Sequence, residues 1–240
     1  GVHGDFVLAV LHKNHVAVAA LPAGELDHAI THGAHRRASG GGEIDTEVRL
    51  AVARNGVETH AIAAADARKR QRRGEEGAAQ ALAATLPGAM ALPCDVPDAA
   101  QATATVEAVT AALGLPDILV NSAGIAILAP AEELGVEAWQ RTLAVNLTGS
   151  FLMAQAAGRA MIAGGKGGRI VNLASQAAMV AIDLHTAYVA SKFGVIGLTK
   201  SLALEWGRHG ITVNSISPTV VMTELGRRAW DNPKGEALKA

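Results

Sequence analysis

The stretch "GRIVNLASQAAMVAIDLHTAYVASKFGVIGLTKSLALEWGRHGITVNSIS" (168–217) joins two short β-branched runs through one long segment rich in Ala and Leu. The runs at 168–175 and 211–217 are continuously apolar, as in strands that are covered on both faces. The segment at 187–207 has a helical composition and ends at Gly207. This order of strand, helix and strand predicts a parallel β-α-β unit.

The same order occurs upstream of this unit. Strands are predicted at 89–96 and 117–121, and helices at 98–113 and 135–163. Repeated units of this kind indicate an α/β fold with a doubly wound parallel sheet. In such a sheet the carboxyl ends of the strands line one crevice, where ligands bind.

The N-terminal part of the chain has a less regular sequence pattern. Residues 1–38 hold six of the nine histidines and show no clean period, so we treat them as an atypical segment of uncertain structure. A helix is predicted over 46–56, ending at Gly56, and a strand over 57–65.

Composition narrows the class of protein. Half of the 240 residues are hydrophobic and 18% are charged, which excludes a disordered chain. The net charge of −1 gives no general attraction to nucleic acid or to an anionic membrane. Cys94 is the only cysteine, and neither a secretory leader nor a 20-residue apolar run is evident. We therefore predict a cytoplasmic protein.

Tyr188, the only tyrosine, precedes Lys192 by one helical turn. Residues i and i+4 share a helix face, so the ammonium is predicted to lie beside the phenol. Lowering a tyrosine pKa from about 10 to near 7 requires about 4 kcal/mol of preferential phenolate stabilisation, and a nearby cation supplies part of that. Taken alone, the spacing also fits a tyrosine at a helix–sheet interface with a solvated lysine.

Further polar residues occur at or near strand ends. Ser175 ends one predicted strand, "NSAG" (121–124) and "SPTVVMT" (217–223) follow two others, and Asn146 lies in "LAVNLTG". Together with Tyr188 and Lys192 these features resemble the short-chain dehydrogenase/reductase family over about residues 74–240. The resemblance implies a single Rossmann-like NAD(P)-binding domain over 39–240, with its catalytic part at 117–240.

The resemblance implies a catalytic set of Asn146, Ser175, Tyr188 and Lys192. Tyr188 would donate or accept the proton, while Lys192 would lower its pKa and hold the nicotinamide ribose. Ser175 would bond the reacting oxygen. Asn146 would anchor a water that links Lys192 to solvent. The implied activity is hydride transfer between NAD(P) and a secondary alcohol or ketone.

The resemblance also implies cofactor contacts away from the nicotinamide. Asp66 would accept the ribose hydroxyls of adenosine, which favours NAD. The basic run at 68–73 could instead hold the 2′-phosphate of NADP, or form a solvated helix turn answered by nearby glutamates. It lacks interleaved aromatics, so no nucleic-acid partner is predicted. Besides Tyr188 and Lys192, the implied cofactor-binding set is Gly40, Asp66, Asp95, Val96, Asn121, Val221 and Thr223.

The implied substrate residues are Ser175, Gln176 and His185. This arrangement is similar to the polyol/ketose branch of the family, which includes L-xylulose reductases and threitol-type dehydrogenases. Amide and imidazole side chains both donate and accept hydrogen bonds, which suits a chain of hydroxyl groups. His185 could also be a loop residue at the pocket rim.

Two departures support an alternative, a catalytically impaired fragment that cannot hold a dinucleotide. The family's glycine-rich turn has its nearest equivalent in "SGGGEIDT" (39–46), where Ile44 and Thr46 replace the second and third glycines. Glu43 and Asp45 would also place negative charge beside a diphosphate. The resemblance further predicts a helix and a strand after Ala240, which implies a truncated C-terminus.

Two further predictions concern metal binding and the oligomeric state. His28, His32 and His35 have a spacing that zinc could use, but Gly33 disturbs a helix there and a fourth ligand is not obvious. No metal site is therefore predicted. The helices at 135–163 and 187–206 are apolar around much of their circumference, and in the family the corresponding helices pair between subunits. We expect a homotetramer.

Overall fold

A computed structural model describes residues 79–80, 83–84 and 88–219 in full, together with the backbone of five strands between residues 5 and 62. The strands are β1 (Asp5–His12), β2 (His15–Pro22), β3 (Glu43–Asp45), β4 (Arg49–Arg54), β5 (Val57–Ile62), β6 (Met90–Pro93), β7 (Ile118–Asn121), β8 (Ile125–Ile127), β9 (Gly168–Leu173) and β10 (Ile211–Ile216). The helices are α1 (Ala99–Leu113), α2 (Val136–Leu143), α3 (Gly149–Gly164) and α4 (Thr186–Trp206).

The main sheet has six strands in the order β10-β9-β7-β1-β2-β6. The four strands β10, β9, β7 and β1 are mutually parallel, and the register aligns Asn121 of β7 with Asn172 of β9. Each pair joined by a helix is parallel, because the helix carries the chain back to the starting edge. The predicted Rossmann-like α/β fold is confirmed, and the predicted strands at 117–121, 168–175 and 211–217 are present within two residues.

The other edge of this sheet is antiparallel, which differs from the parallel sheet predicted from the sequence. Strand β2 pairs antiparallel with both β1 and β6, from Asp5↔Pro22 to His12↔His15 in the first pair. Only two residues separate β1 from β2, and so short a connection permits a hairpin but no parallel crossover. The atypical segment therefore contributes two strands to the sheet.

Two small sheets involve residues 43–62. Strand β4 pairs antiparallel with β5, so the helix predicted over 46–56 is wrong while the strand predicted from Val57 is confirmed. The sequence "RLAVAR" alternates Leu50 and Val52 with other residues, a period of two that suits a strand. Strand β3 pairs with β8, so Glu43–Asp45 of the candidate glycine-rich turn is extended backbone.

The predicted helix over 135–163 is interrupted once. A π-helical segment, Ala144–Thr148, lies between α2 and α3 and carries Asn146. Such insertions are rare and occur often at functional sites. Helices α1, α3 and α4 share one apolar core with the strands of the main sheet. This core includes Leu119, Met153, Ile170, Leu202 and Ile211. None of the described helices combines the length and apolar character that a membrane crossing requires.

Candidate active site

Ser175 and Tyr188 are brought together beyond the end of β9. Ser175 has extended backbone and caps the short turn Gln176–Ala178, with its Oγ accepting a 3.1 Å hydrogen bond from the Ala177 N–H. The Ser175 side chain is near enough to the Tyr188 phenol to lower its pKa as a hydrogen-bonding group. Burial raises the pKa of Tyr188, and the hydrogen bond from Ser175 offsets only part of this rise, so the phenol is held in its neutral form.

Lys192 lies one helical turn from Tyr188 on the same face of α4, as the spacing predicts. Its Nζ is 5.5 Å from the centre of the Tyr188 ring and donates a 2.6 Å hydrogen bond to the carbonyl oxygen of Leu173. The residue is 4% exposed. Burial disfavours the charged form and lowers the pKa of Lys192 to about 8, so the cation still predominates at neutral pH.

Asn146 is fully buried in the π-helical segment, and its amide is occupied by protein groups. Its Oδ1 accepts from the Ile125 N–H at 2.8 Å, and its Nδ2 donates to the Ile125 carbonyl and to Ser191 Oγ, both at 2.9 Å. Ser191 in turn donates to the carbonyl oxygen of Tyr188 at 2.7 Å. The side chain therefore fixes β8 against α4, and its predicted water contact is left to the second lone pair of Oδ1.

Gly124 is buried next to the polar side chains of Asn146 and Lys192. A Cβ at Gly124 would stand 3.5 Å from both Asn146 Oδ1 and Lys192 Nζ. Nearby Ser122 has a buried Oγ that lacks a hydrogen-bond partner among the described residues. An ammonium with one hydrogen bond of its possible three, a bare glycine and an orphaned hydroxyl at a strand end suit a polar ligand such as a nicotinamide ribose.

Asn121 supports the site from below. Its Nδ2 donates to the Ser150 carbonyl at 3.1 Å and to Asn172 Oδ1 at 2.9 Å, and Asn172 Nδ2 donates to Thr199 Oγ1 at 2.9 Å. This buried chain of hydrogen bonds ties β7, β9, α3 and α4 together. Sequence reasoning missed Asn172, Thr199 and Ser191, although a polar residue in an otherwise apolar strand, as in "RIVNLAS", is a usable signal.

His185 lies against Tyr188, and Gln176 directly follows Ser175 in the chain. The His185 ring meets the Tyr188 ring edge to face, with 5.9 Å between centroids and 70° between planes. Its Nδ1 is 2.6 Å from the Asp183 carbonyl oxygen. Gln176 is partly buried, and its backbone N–H donates to the Pro218 carbonyl. The His185 ring therefore lies where it can contact a ligand on Tyr188.

The remaining predicted cofactor residues divide into two groups. Asp95 is exposed at the end of the β6 segment, while Val96 is 1% exposed, packs against Gly149 and offers a ligand almost no surface. The other predicted contacts lie outside the described residues: Gly40, Asp66, Val221 and Thr223. The candidate zinc ligands His28, His32 and His35 also lie outside them.

Comparisons with known proteins place these residues in context. A protein-family model described as short chain dehydrogenase matches residues 47–234. D-threitol dehydrogenase of Mycolicibacterium smegmatis is 60% identical over 165 residues, which are 67% of this chain and 63% of the relative. An NAD-dependent glycerol dehydrogenase of Listeria innocua is 56% identical over 51% of this chain and 48% of the relative. L-xylulose reductase of Mesocricetus auratus is 43% identical over 57% of this chain and 55% of the relative.

A solved structure gives the same result for the fold. The gluconate 5-dehydrogenase from Burkholderia cenocepacia, in complex with NADP and tartrate, superposes with a TM-score of 0.55 at 38% identity and covers 59% of this chain and 55% of that chain. The chain thus spans about half to 63% of the length of the curated relatives it matches. The resemblance to the polyol/ketose branch is confirmed by these relatives.

Proposed function

The chain belongs to the short-chain dehydrogenase family, and we propose that it transfers a hydride between NAD(P) and a secondary alcohol or its ketone, with a sugar alcohol and ketose as the substrate pair. The observation that carries the proposal is the Lys192 ammonium 5.5 Å from the centre of the Tyr188 ring, with the Ser175 side chain near enough to the phenol to lower its pKa. The family resemblance implies the same three residues, together with Asn146, as the catalytic set. A positioned acid and a cation are what carbinol–carbonyl exchange requires.

Tyr188 is the group that moves the proton at the reacting oxygen. Its pKa lies above the ordinary value, so at neutral pH it is a phenol that can donate to a forming alkoxide. Ser175 supplies a second hydroxyl to the same oxygen, which holds the carbonyl carbon in one place. The nicotinamide, when bound, supplies or accepts the hydride at its C4.

Lys192 stabilises the phenolate that is left after the proton has gone. Its ammonium is buried and anchored to Leu173, so its charge acts through a medium of low dielectric. The remaining donors of the ammonium would bind ribose hydroxyls on the side of Gly124. Lys192 and Ser122, whose Oγ lacks a hydrogen-bond partner among the described residues, would hold the nicotinamide half of the cofactor. Asn121 would support the central part of the cofactor site, while the predicted diphosphate contact at Gly40 lies outside the described residues.

We infer NAD as the cofactor, with NADP as the alternative that one titration separates. Asp66 supports NAD through its carboxylate, whereas Arg68, Lys69 and Arg70 suit a 2′-phosphate. The glycerol dehydrogenase relative is described as NAD-dependent, and the gluconate 5-dehydrogenase structure contains NADP. Asp66→Arg should exchange the preference if Asp66 holds the ribose, and an unchanged preference would contradict that role.

The polyol class is supported by His185 against the Tyr188 ring, with Gln176 next to Ser175 in the chain. Both can pair with hydroxyls on carbons next to the one that reacts, and a site built to pair hydroxyls discriminates strongly against analogues that lack them. The relatives include a threitol dehydrogenase and an L-xylulose reductase. A panel of C4–C6 polyols, steroids and acyl thioesters tests the class. A preference for steroids or acyl thioesters would overturn it.

Cofactor binding is tested before turnover. A ligand at 100 times its Kd adds about 2.7 kcal/mol to the free energy of unfolding, so saturating NADH or NADPH should raise the Tm by several degrees. Tyr188→Phe is the control, because it should show the same shift without turnover. Failure of both cofactors to shift the Tm would favour the impaired-fragment alternative.

We also propose a homotetramer in the cytoplasm. Phe151 of α3, with Phe193 and Leu204 of α4, exposes apolar surface on two helices that also contact each other. Large exposed apolar side chains on neighbouring elements are typical of subunit contacts. Light scattering after gel filtration tests the assembly, and Phe193→Glu should lower the observed mass.

A further inference from the structure

Leu184 has a left-handed backbone, with φ at +62°, and no other non-glycine residue of the described part shares this feature. A side chain with a Cβ is disfavoured there, because it crowds the following carbonyl oxygen. The Leu184 side chain is 40% exposed, so packing in the core does not explain the conformation. Strained backbone of this kind tends to persist where the surrounding structure enforces it, often at functional sites.

Hydrogen bonds on both sides enforce it here. The Leu184 carbonyl accepts a 3.2 Å bond from the Ala129 N–H, and the His185 N–H donates to the Ile182 carbonyl at 3.2 Å. The His185 Nδ1 is held 2.6 Å from the Asp183 carbonyl oxygen. The turn at 182–185 is therefore closed internally and tied externally to the loop that follows β8.

That loop is fixed in turn at the catalytic centre. Asn146 binds both the N–H and the carbonyl of Ile125, the first residue of β8. From Ile125 the chain runs only four residues to Ala129, whose N–H reaches Leu184. The segment 125–129 thus connects Asn146 to the strained turn.

The turn at 182–185 determines where the His185 ring lies. His185 directly precedes α4, its carbonyl accepts the Val189 N–H at 2.8 Å, and its ring edge meets Tyr188. With right-handed or extended backbone at Leu184, the chain would enter α4 from another direction and the ring would leave Tyr188.

We infer that Leu184 is a positioning residue, whose left-handed backbone, held by the Ala129 N–H, sets His185 against Tyr188 and so fixes where the substrate's additional hydroxyls bind. The inference rests on the proposed function for its substrate class, but the backbone requirement itself does not. It assigns the role to the backbone conformation at position 184 and none to the leucine side chain.

Three variants separate backbone from side chain. Leu184→Asn and Leu184→Gly tolerate a left-handed backbone, and both should keep the KM for the preferred polyol within threefold of wild type. Leu184→Val keeps an apolar side chain but resists that conformation, and should raise the KM at least tenfold with a smaller change in kcat. The opposite ranking, or equal KM values for all three, would overturn the inference.

The path through His185 and Ala129 is tested by two further comparisons. If Leu184 acts through His185, Leu184→Val should add less than twofold to the KM of His185→Ala, and full additivity would contradict it. Ala129→Pro removes the N–H that binds Leu184 and should raise the KM as Leu184→Val does. Ala131→Pro, at an exposed turn position of the same loop, is the matched control.

Thermal denaturation without ligand gives a readout that does not depend on turnover. Leu184→Gly and Leu184→Asn should have a Tm at or above that of wild type, and Leu184→Val a Tm several degrees below it. If wild type turns over no polyol, the proposed substrate class fails while this ranking still decides the backbone requirement. A Val variant as stable as the Asn variant would contradict it.

Discussion

The ammonium of Lys192 lies 5.5 Å from the centre of the Tyr188 ring and is anchored to the Leu173 carbonyl at the end of β9. The cation therefore faces the ring and is held by the strand, while Ser175 lies on the side of the phenol hydroxyl and lowers its pKa. In the chain alone, burial outweighs the Ser175 bond and raises the pKa of Tyr188, opposite to the change that proton abstraction at neutral pH needs. A nicotinamide bound in its pyridinium form would add positive charge beside Tyr188 and so lower the pKa of the phenol.

Tyr188→Phe should lower kcat by about 10²–10⁴, because it removes the group that moves the proton. Cofactor affinity, measured by fluorescence titration of NADH, should stay within about twofold, since the ring and its packing remain. Equal Tm values in the two proteins would show that the fold is intact. Retention of more than a tenth of the wild-type rate would contradict the assignment.

The two reaction directions should respond differently to pH. Oxidation of the alcohol requires the Tyr188 phenolate and should accelerate as the pH rises from 6 towards 9. Ketone reduction requires the phenol, whose raised pKa keeps it protonated in this range, so its rate should change little. Ser175→Ala removes the hydrogen bond that lowers the pKa of Tyr188, so its oxidation profile should move to higher pH. Ser175→Thr keeps the hydroxyl and is the control. Profiles that coincide in Ser175→Ala and wild type would argue against the Ser175–Tyr188 bond.

Lys192 is predicted to reduce stability while serving catalysis. The fall of its pKa from 10.5 to about 8 corresponds to about 3 kcal/mol of unfavourable burial of the charged form. Between pH 8 and about 10.5 the unfolded state binds more protons than the native state, so this group makes the protein more stable as the pH rises through that window. Lys192→Met avoids the penalty but leaves the Leu173 carbonyl without its donor, which costs about 1 kcal/mol.

Urea denaturation at pH 7 and pH 10 measures this balance. Lys192→Met should be about 1–2 kcal/mol more stable than wild type at pH 7, should lose that advantage towards pH 10, and should have little activity. Lys192→Arg keeps a cation at all of these pH values and is the matched variant. A Met variant that is less stable than wild type at pH 7 would show that the ammonium makes a net favourable contribution.

The central strands could be predicted because their sequence alone specifies them. "DILVN" and "RIVNLAS" are apolar runs between helical segments, and no competing period is present. By contrast, "RLAVAR" carries apolar residues that suit either a helix or a strand, and its pairing with β5 decided the outcome. The hairpin of β1 and β2 was missed because histidines and a lysine interrupt its apolar run.

Features that depend on distant contacts could not be predicted. The π-helical insertion at Asn146 is stabilised by hydrogen bonds to Ile125, 21 residues away. The left-handed backbone at Leu184 is contrary to the local preference of leucine. It is held by a hydrogen bond from the N–H of Ala129, which lies 55 positions earlier in the chain. The candidate catalytic residues could be identified in the sequence, whereas the groups that hold them in place could not.

Two glycines next to the site should separate loss of function from loss of stability. At Gly124 a Cβ would lie 3.5 Å from Lys192 Nζ and Asn146 Oδ1, which is ordinary van der Waals contact, and its φ is outside the left-handed region. Gly124→Ala should therefore unfold within about 1 kcal/mol of wild type. If the ammonium binds the ribose on the side of Gly124, as proposed, the added methyl group should obstruct that contact and raise the Kd for NADH about tenfold, as for the loss of one charge-assisted hydrogen bond.

Gly149 gives the converse case. A Cβ there would lie 2.5 Å from Cγ2 of Val96, a stiff and fully buried side chain, so Gly149→Ala overpacks the core. Overpacking costs about 1–3 kcal/mol and the gain in helix propensity returns about 1 kcal/mol, which leaves a net loss of about 1–2 kcal/mol. At temperatures where it is folded, this variant should bind NADH like wild type. Weaker NADH binding in Gly149→Ala than in Gly124→Ala would show that the space beside Lys192 is not where the cofactor lies.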